Sequence, residues 1–131
     1  MSKKKFDHCA FQVSNIDNAI DWYKKVLGFA LLFKGDNILE NEVYAFLSYG
    51  ESRLELIQDL SQEFIKPIIR KPFCPHLCLE VDSMQTALEI IKNNGIRIVK
   101  GPLEIENKEK WIYFSDPDNN ILEFIKWYNE N

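Results

Sequence analysis

His8 and His76 are the only two histidines in the chain, and they stand 68 residues apart. Glu55 and Glu123 are also 68 apart, so in both cases the glutamate follows its histidine by 47 residues. The neighbours repeat with the same period. Val13 matches Val81, Ala19 matches Ala87, Ile20 matches Leu88, Phe46 matches Phe114, Leu54 matches Leu122 and Ile57 matches Ile125. Imidazole nitrogen and carboxylate oxygen are common donors to divalent metals. A duplicated fold that supplies one of each from either half has the donor composition of a metal site on a pseudo-two-fold axis. An isolated histidine or glutamate would be read as a structural or solvated residue. The matched pairs reverse that reading.

The elements that must hold these residues read as strand, helix and three strands, twice over. The first strand is expected over Phe6 to Val13, with Cys9, Phe11 and Val13 on one face and His8, Ala10 and Gln12 on the other. In the second copy Leu77, Leu79 and Val81 form an apolar face, opposite His76, Cys78 and Glu80. A helix follows each. Ser14 or Asn15 caps the first, Ile16, Ala19, Ile20, Tyr23 and Leu27 recur at helical spacing, and Gly28 stops it. Asp82 or Ser83 starts the second, with Met84, Ala87, Leu88 and Ile91 on one face and Gly95 at its end. Trp22 and Tyr23 read as helix packing. Further strands are expected at about Ala30 to Lys34, Val43 to Tyr49 and Arg53 to Gln58, then at Arg97 to Lys100, Trp111 to Ser115 and Ile121 to Trp127. Gly35 to Glu42 and Gly101 to Lys110 read as polar loops, and Ser61 to Pro75, with three prolines, as a connector with room for a short helical turn. On the last strands Glu55 shares a face with Arg53 and Ile57, and Glu123 with Ile121 and Ile125. Carboxylates flanked by aliphatic side chains are costly to desolvate unless paired or bound to a metal. Phe46, Trp111, Tyr113 and Phe114 are the aromatic candidates for shaping a ligand site.

The chain resembles the vicinal-oxygen-chelate superfamily, which contains glyoxalase I. The resemblance runs from Phe6 to Trp127. It is carried by Phe6-Asp7-His8, by the run Trp22 to Phe29, by Leu54-Glu55-Leu56-Ile57, by Pro75-His76-Leu77, and by the run Phe114 to Glu123. It implies an α+β fold of two tandem βαβββ modules, whose curved mixed sheets surround a shared concave metal site. The first module would span about residues 5–60 and the second about 73–128, within one domain over 1–131. His8, Glu55, His76 and Glu123 fall on the family's four ligand positions, with one divalent ion (Zn, Ni, Co or Mn) as the implied cofactor. Glu123 and Glu55 are the implied catalytic acid and base. The implied activity is that of a lyase or isomerase of the glyoxalase I type, moving a proton next to a carbonyl through a metal-stabilised enediolate. The alternatives are an epimerase similar to methylmalonyl-CoA epimerase, and a small-molecule (antibiotic) binding or resistance protein on the same fold.

Other features bound the partners. Hydrophobic residues at 46% and charged residues at 27% are those of an ordinary globular chain. No apolar run approaches the roughly 18 residues of a membrane span. The basic Met1 to Lys5 is not followed by an apolar signal region, so a cytoplasmic protein is expected. A net charge of −4 argues against nucleic acid as a partner. The resemblance implies a small-molecule substrate, and a homodimer is expected. Cys9, Cys74 and Cys78 make no disulfide framework. Cys74, His76 and Cys78 alternate, which is compatible with a soft metal cluster but reads more simply as small residues on one strand face.

Overall fold

The computed structural model describes residues 2–128. It has two compact units, Met1–Ile65 and Lys66–Asn131. In the first unit the order is β1 (Cys9–Gln12), α1 (Ile16–Leu27), β2 (Ala30–Asn37), β3 (Glu42–Tyr49) and β4 (Ser52–Asp59). In the second it is β5 (Leu77–Glu80), α2 (Met84–Asn93), β6 (Ile98–Ile105), β7 (Glu109–Ser115) and β8 (Ile121–Trp127). Each unit forms a four-stranded mixed sheet, ordered β1-β4-β3-β2 and β5-β8-β7-β6. The chain thus consists of tandem βαβββ modules.

The first and last strands of each unit are parallel, and their register repeats. Cys9 opposes Leu54 in one unit, and Leu77 opposes Leu122 in the other. The backbone N–H groups of Val13 and Val81 donate to the carbonyls of Ile57 and Ile125 at 2.9 and 2.8 Å. A parallel neighbour requires a crossover, and the helix supplies it. Asn15 caps α1, its side chain accepting from the Asn18 N–H, and Gly28 closes the helix in the left-handed region at φ 80°. Ser83 caps α2 in the same way through Thr86 N–H, but Asn94 is its C-cap.

One face of each sheet is packed against its helix. Ala45, Leu47, Leu54 and Leu56 are buried there in the first unit with Ile20 and Tyr23. Ile112, Phe114, Leu122 and Phe124 are buried in the second with Ala87 and Ile91. The opposite face carries the histidine and glutamate of each module.

Several expectations from sequence need adjustment. β1 is shorter than Phe6 to Val13: Phe6 is fully exposed, and His8 and His76 each lie one residue before their strand. Gly35 to Glu42 and Gly101 to Lys110 are not loops throughout. β2 runs on to Asn37, with Gly35 opposite Tyr44 and Asn37 opposite Glu42. β6 runs on to Ile105 opposite Glu109. Both are edge strands, where polar residues on either face leave no alternation to read. The 61–75 connector holds no helix. Among the described residues no helix is long and apolar enough to cross a membrane.

Candidate metal centre

Each unit brings its histidine to its glutamate. In the first, His8 Nε2 lies 3.3 Å from Glu55 Oε1. In the second, His76 Nε2 lies 2.9 Å from Glu123 Oε1. Strand register explains the approach. Glu55 stands beside Ala10 across the parallel pair, two residues past His8, and Glu123 stands beside Cys78, two residues past His76. Two-residue periodicity puts each histidine on the same face as its glutamate.

The other ring nitrogen is also held. His8 Nδ1 is 2.7 Å from Asp7 Oδ2. His76 Nδ1 is 2.8 Å from the Phe73 carbonyl oxygen. A carbonyl can only accept, so His76 donates through Nδ1 and turns Nε2 towards Glu123. Asp7 imposes the same orientation on His8. In its neutral form each imidazole would present an acceptor to another acceptor, whereas a doubly protonated ring would donate to the carboxylate. Only an added proton or a cation between them relieves that arrangement. A divalent metal fits this donor set, because anchoring Nδ1 is how metal-binding histidines are usually oriented.

The two carboxylates differ in setting. Glu123 is 7% exposed. Its burial pushes the carboxyl above the ordinary value, although the His76 ring and the Cys78 thiol pull the other way. Desolvation and the Glu123 carboxylate push the Cys78 thiol up to about 12, so it stays protonated at neutral pH. All three cysteines are free. Cys74 lies before β5 rather than on it, with Sγ 4.0 Å from His76 Nδ1, so Cys74, His76 and Cys78 do not share a strand face. Among the described residues no group of three or more His, Cys, Asp and Glu side chains is assembled for a metal within the single chain. Each unit supplies two donors.

Aromatic rings flank both pairs. Phe46 meets His8 edge-on with centroids 4.9 Å apart, and Phe33 lies 5.1 Å from Phe46. In the second unit Tyr113 lies 5.4 Å from His76, and Phe73 lies 5.1 Å from Tyr113. Phe114 is not a site residue. It is fully buried and stacked on Phe124 at 4.5 Å. The spatial counterpart of Phe46 is Tyr113, since Phe46 opposes Glu55 and Tyr113 opposes Glu123. The hairpin turn explains the change. Asp116 accepts from the backbone N–H groups of Asp118 and Asn120 at 2.9 and 2.8 Å, which organises a longer loop than Gly50-Glu51. The register of β7 slips by one residue, and a slip of one exchanges the faces.

Asp7, the Phe73 carbonyl and Cys78 are site components that the repeat alone does not single out. The adjacency of Asp7 and His8 is a signal that the sequence carries. The Phe73 carbonyl leaves no side-chain trace, since it depends on a left-handed residue at φ 61°.

A family model described as the Glyoxalase/Bleomycin resistance protein/Dioxygenase superfamily matches residues 5–124. The chain belongs to this superfamily. Among curated relatives, a probable lactoylglutathione lyase of Vibrio cholerae serotype O1 is 26% identical over 128 residues, covering 96% of this chain and 93% of that protein. The metallothiol transferase FosB of Staphylococcus epidermidis is 30% identical over 123 residues, covering 89% and 78%. Among solved structures, a glyoxylase/bleomycin resistance protein/dioxygenase domain from Frankia sp. aligns with a TM-score of 0.79 at 21% identity, covering 96% of this chain and 99% of that one. The trypanothione-dependent glyoxalase I of Leishmania major aligns with a TM-score of 0.76 at 20% identity, covering 95% and 87%. At these identities the structural likeness establishes the fold.

Proposed function

We propose that the chain is a glyoxalase I-like metalloenzyme that moves a proton on the carbon next to a carbonyl of a small-molecule substrate. The observation that carries this reading is the histidine–glutamate pair in each module, His8 with Glu55 and His76 with Glu123, each ring held at its other nitrogen. The four side chains form the ligand set of one divalent cation, donated by one chain or by two copies of a homodimer working in the cytoplasm. A divalent cation held there would act as a Lewis acid on a substrate oxygen and ease loss of the neighbouring proton.

The chain's own residues do the rest. Asp7 and the Phe73 carbonyl keep the two imidazoles in one tautomer. Glu55 and Glu123 are the acid and base, one taking the proton and the other or the same one returning it. A base works best when its pKa approaches the operating pH, and the burial that raises Glu123 moves it in that direction. The apolar rings beside each histidine exclude water from the reacting carbon. The lactoylglutathione lyases among the relatives favour a hemithioacetal substrate.

The test is isotope exchange. The hemithioacetal of methylglyoxal and glutathione, incubated in D₂O with protein loaded with Ni²⁺, Co²⁺, Mn²⁺ or Zn²⁺, should yield product carrying deuterium on the former ketone carbon, while the carbon that loses its proton becomes the thioester carbonyl. Chelator should abolish turnover, and the metals should restore it unequally. Tight ligand binding without exchange, across hemithioacetals and acyl-CoA esters alike, would overturn the reading. The likeness to the metallothiol transferase FosB supports thiol transfer as the second reading, which the same preparation tests by consumption of thiol in the presence of an electrophilic acceptor.

A further inference from the structure

The two glutamates hold matching positions, but the residues facing them on the neighbouring parallel strand do not match. Ala10 on β1 stands opposite Glu55, and Cys78 on β5 stands opposite Glu123. Residues opposite each other in a sheet put their side chains on the same face. The Cys78 thiol and the Glu123 carboxylate are hydrogen-bonded side chain to side chain. An ionised carboxylate can only accept, so the thiol donates. The methyl group of Ala10 has nothing to donate to Glu55. Glu123 also lies closer to its histidine, with Oε1 2.9 Å from His76 Nε2 against 3.3 Å between Glu55 and His8.

A carboxylate on a flexible side chain is a pre-set ligand only when a further partner fixes its orientation. We propose that Cys78 is a positioning residue: its S–H group holds the Glu123 carboxylate with Oε1 turned towards His76, so that the two carboxylates of the centre are held unequally. Glu123 is the pre-set ligand. Glu55, with Ala10 across from it, has to be ordered by the cation itself. Partners behind the ligands of a metal site strengthen binding by about 10- to 100-fold. A thiol is a weak donor, which puts the effect at the lower end of that range. This rests on the reading of the histidine–glutamate pairs as cation ligands. It adds a residue that the repeat does not supply, since the first module has alanine at the matching place.

Two measurements test it, one with metal and one without. Co²⁺ titrated by calorimetry into the metal-free full-length protein should bind about tenfold more weakly to Cys78→Ala than to wild type. Cys78→Ser keeps a donor of similar size and should recover most of that loss. Ala10→Ser supplies the donor that Glu55 lacks and should tighten binding. Infrared spectroscopy of the metal-free protein reads the bond itself. All three cysteines are free thiols, and the S–H stretching band that disappears in Cys78→Ala should be the one lowered by a hydrogen bond. That band should rise in Glu123→Ala, or by a smaller step in Glu123→Gln, a weaker acceptor, if the alanine variant does not fold. Equal Co²⁺ affinity of Cys78→Ala and wild type overturns the proposal, as does a Cys78 band indifferent to loss of the Glu123 carboxylate. A wild type that binds no Co²⁺ overturns the ligand reading instead, and the S–H band then decides the thiol–carboxylate bond on its own.

Discussion

The Nε2 atom of His76 lies 2.9 Å from Oε1 of Glu123, while Nδ1 of the same ring faces the Phe73 carbonyl at 2.8 Å. Both contacts offer acceptors to a ring that carries one proton when neutral. The relation in the first module is the same in kind, with Asp7 in place of the carbonyl and a longer 3.3 Å approach of His8 to Glu55.

Glutamine in place of either glutamate separates ligation from proton transfer. Glu55→Gln and Glu123→Gln keep a carbonyl oxygen that can still ligate, but neither can accept a proton as a base. Each substitution should cut turnover of the hemithioacetal by about 10²- to 10⁴-fold, the range for loss of a general acid or base. Circular dichroism should show an unchanged fold. Near-wild-type turnover in both variants would remove these residues from the proton-transfer role.

The same residue makes a stability prediction with a definite sign. In the metal-free protein, burial raises the Glu123 carboxyl above its ordinary value. The unfolded chain therefore loses that proton first as pH rises. The contribution of Glu123 to stability is fully present below its unfolded value, near 4.3, and is lost as pH rises through the higher folded value. Metal-free Glu123→Gln should therefore melt a few degrees above wild type at pH 7.5 and level with it at pH 3.5. At one metal concentration the wild type should gain more than Glu123→Gln at pH 7.5, since the charged carboxylate holds a cation more tightly than an amide oxygen and the gain grows with the ratio of metal to Kd. Equal melting of the two metal-free proteins at both pH values would show that the carboxylate is not strained by its burial.

The 68-residue repeat makes the equivalence of the two parallel pairings legible in the sequence, though not the pairing itself. Cys9 against Leu54 and Leu77 against Leu122 differ by the same step on both sides. It also places each histidine on the face of its glutamate. The repeat fails where the two hairpins differ in length. Mapping Phe46 onto Phe114 assumes equal turns, and the Asp116 loop makes Tyr113 the true counterpart. The edges fail for another reason. β2 is irregular between Leu31 and Phe33, and β6 between Lys100 and Leu103, so neither keeps a clean two-residue period. Cys78 is visible in sequence as a neighbour of His76, but its place opposite Glu123 depends on the pairing of β5 with β8.

Gly101 marks one of these irregularities. It sits at φ 113°, and a Cβ there would come 3.1 Å from the Trp111 carbonyl oxygen and 3.2 Å from the Ile112 Cα. The obstacle is the backbone of the neighbouring strand, which cannot rotate away. Gly101→Ala should cost about 1–3 kcal/mol, the range for a residue held in a disfavoured backbone region. Gly28→Ala should cost less, because Gly28 lies at φ 80° with nothing within 4 Å of the added carbon. Denaturant midpoints of the two variants give the comparison. A smaller loss at Gly101 than at Gly28 would mean that β6 can shift to accept a side chain.

Gly35 poses the opposite case. A Cβ there would lie 2.7 Å from the Tyr44 hydroxyl oxygen and 2.9 Å from its ring carbon Cζ. The obstacle is the end of a side chain, and the glycine needs no positive φ. Tyr44 can therefore swing aside at little expense to the fold, and Gly35→Ala should change stability by less than about 1 kcal/mol. The effect should appear instead on the rings beside His8, where Tyr44 meets Phe33 at 6.3 Å and Phe46 at 6.1 Å. Displacing the tyrosine should raise KM for the hemithioacetal several-fold with little change in kcat, the pattern of lost uniform binding. A crystal structure of the variant should show the phenol moved off the position-35 backbone. Should stability fall by several kcal/mol while KM stays at the wild-type value, Tyr44 would be a packing residue and the rings of the site would end at Phe33 and Phe46.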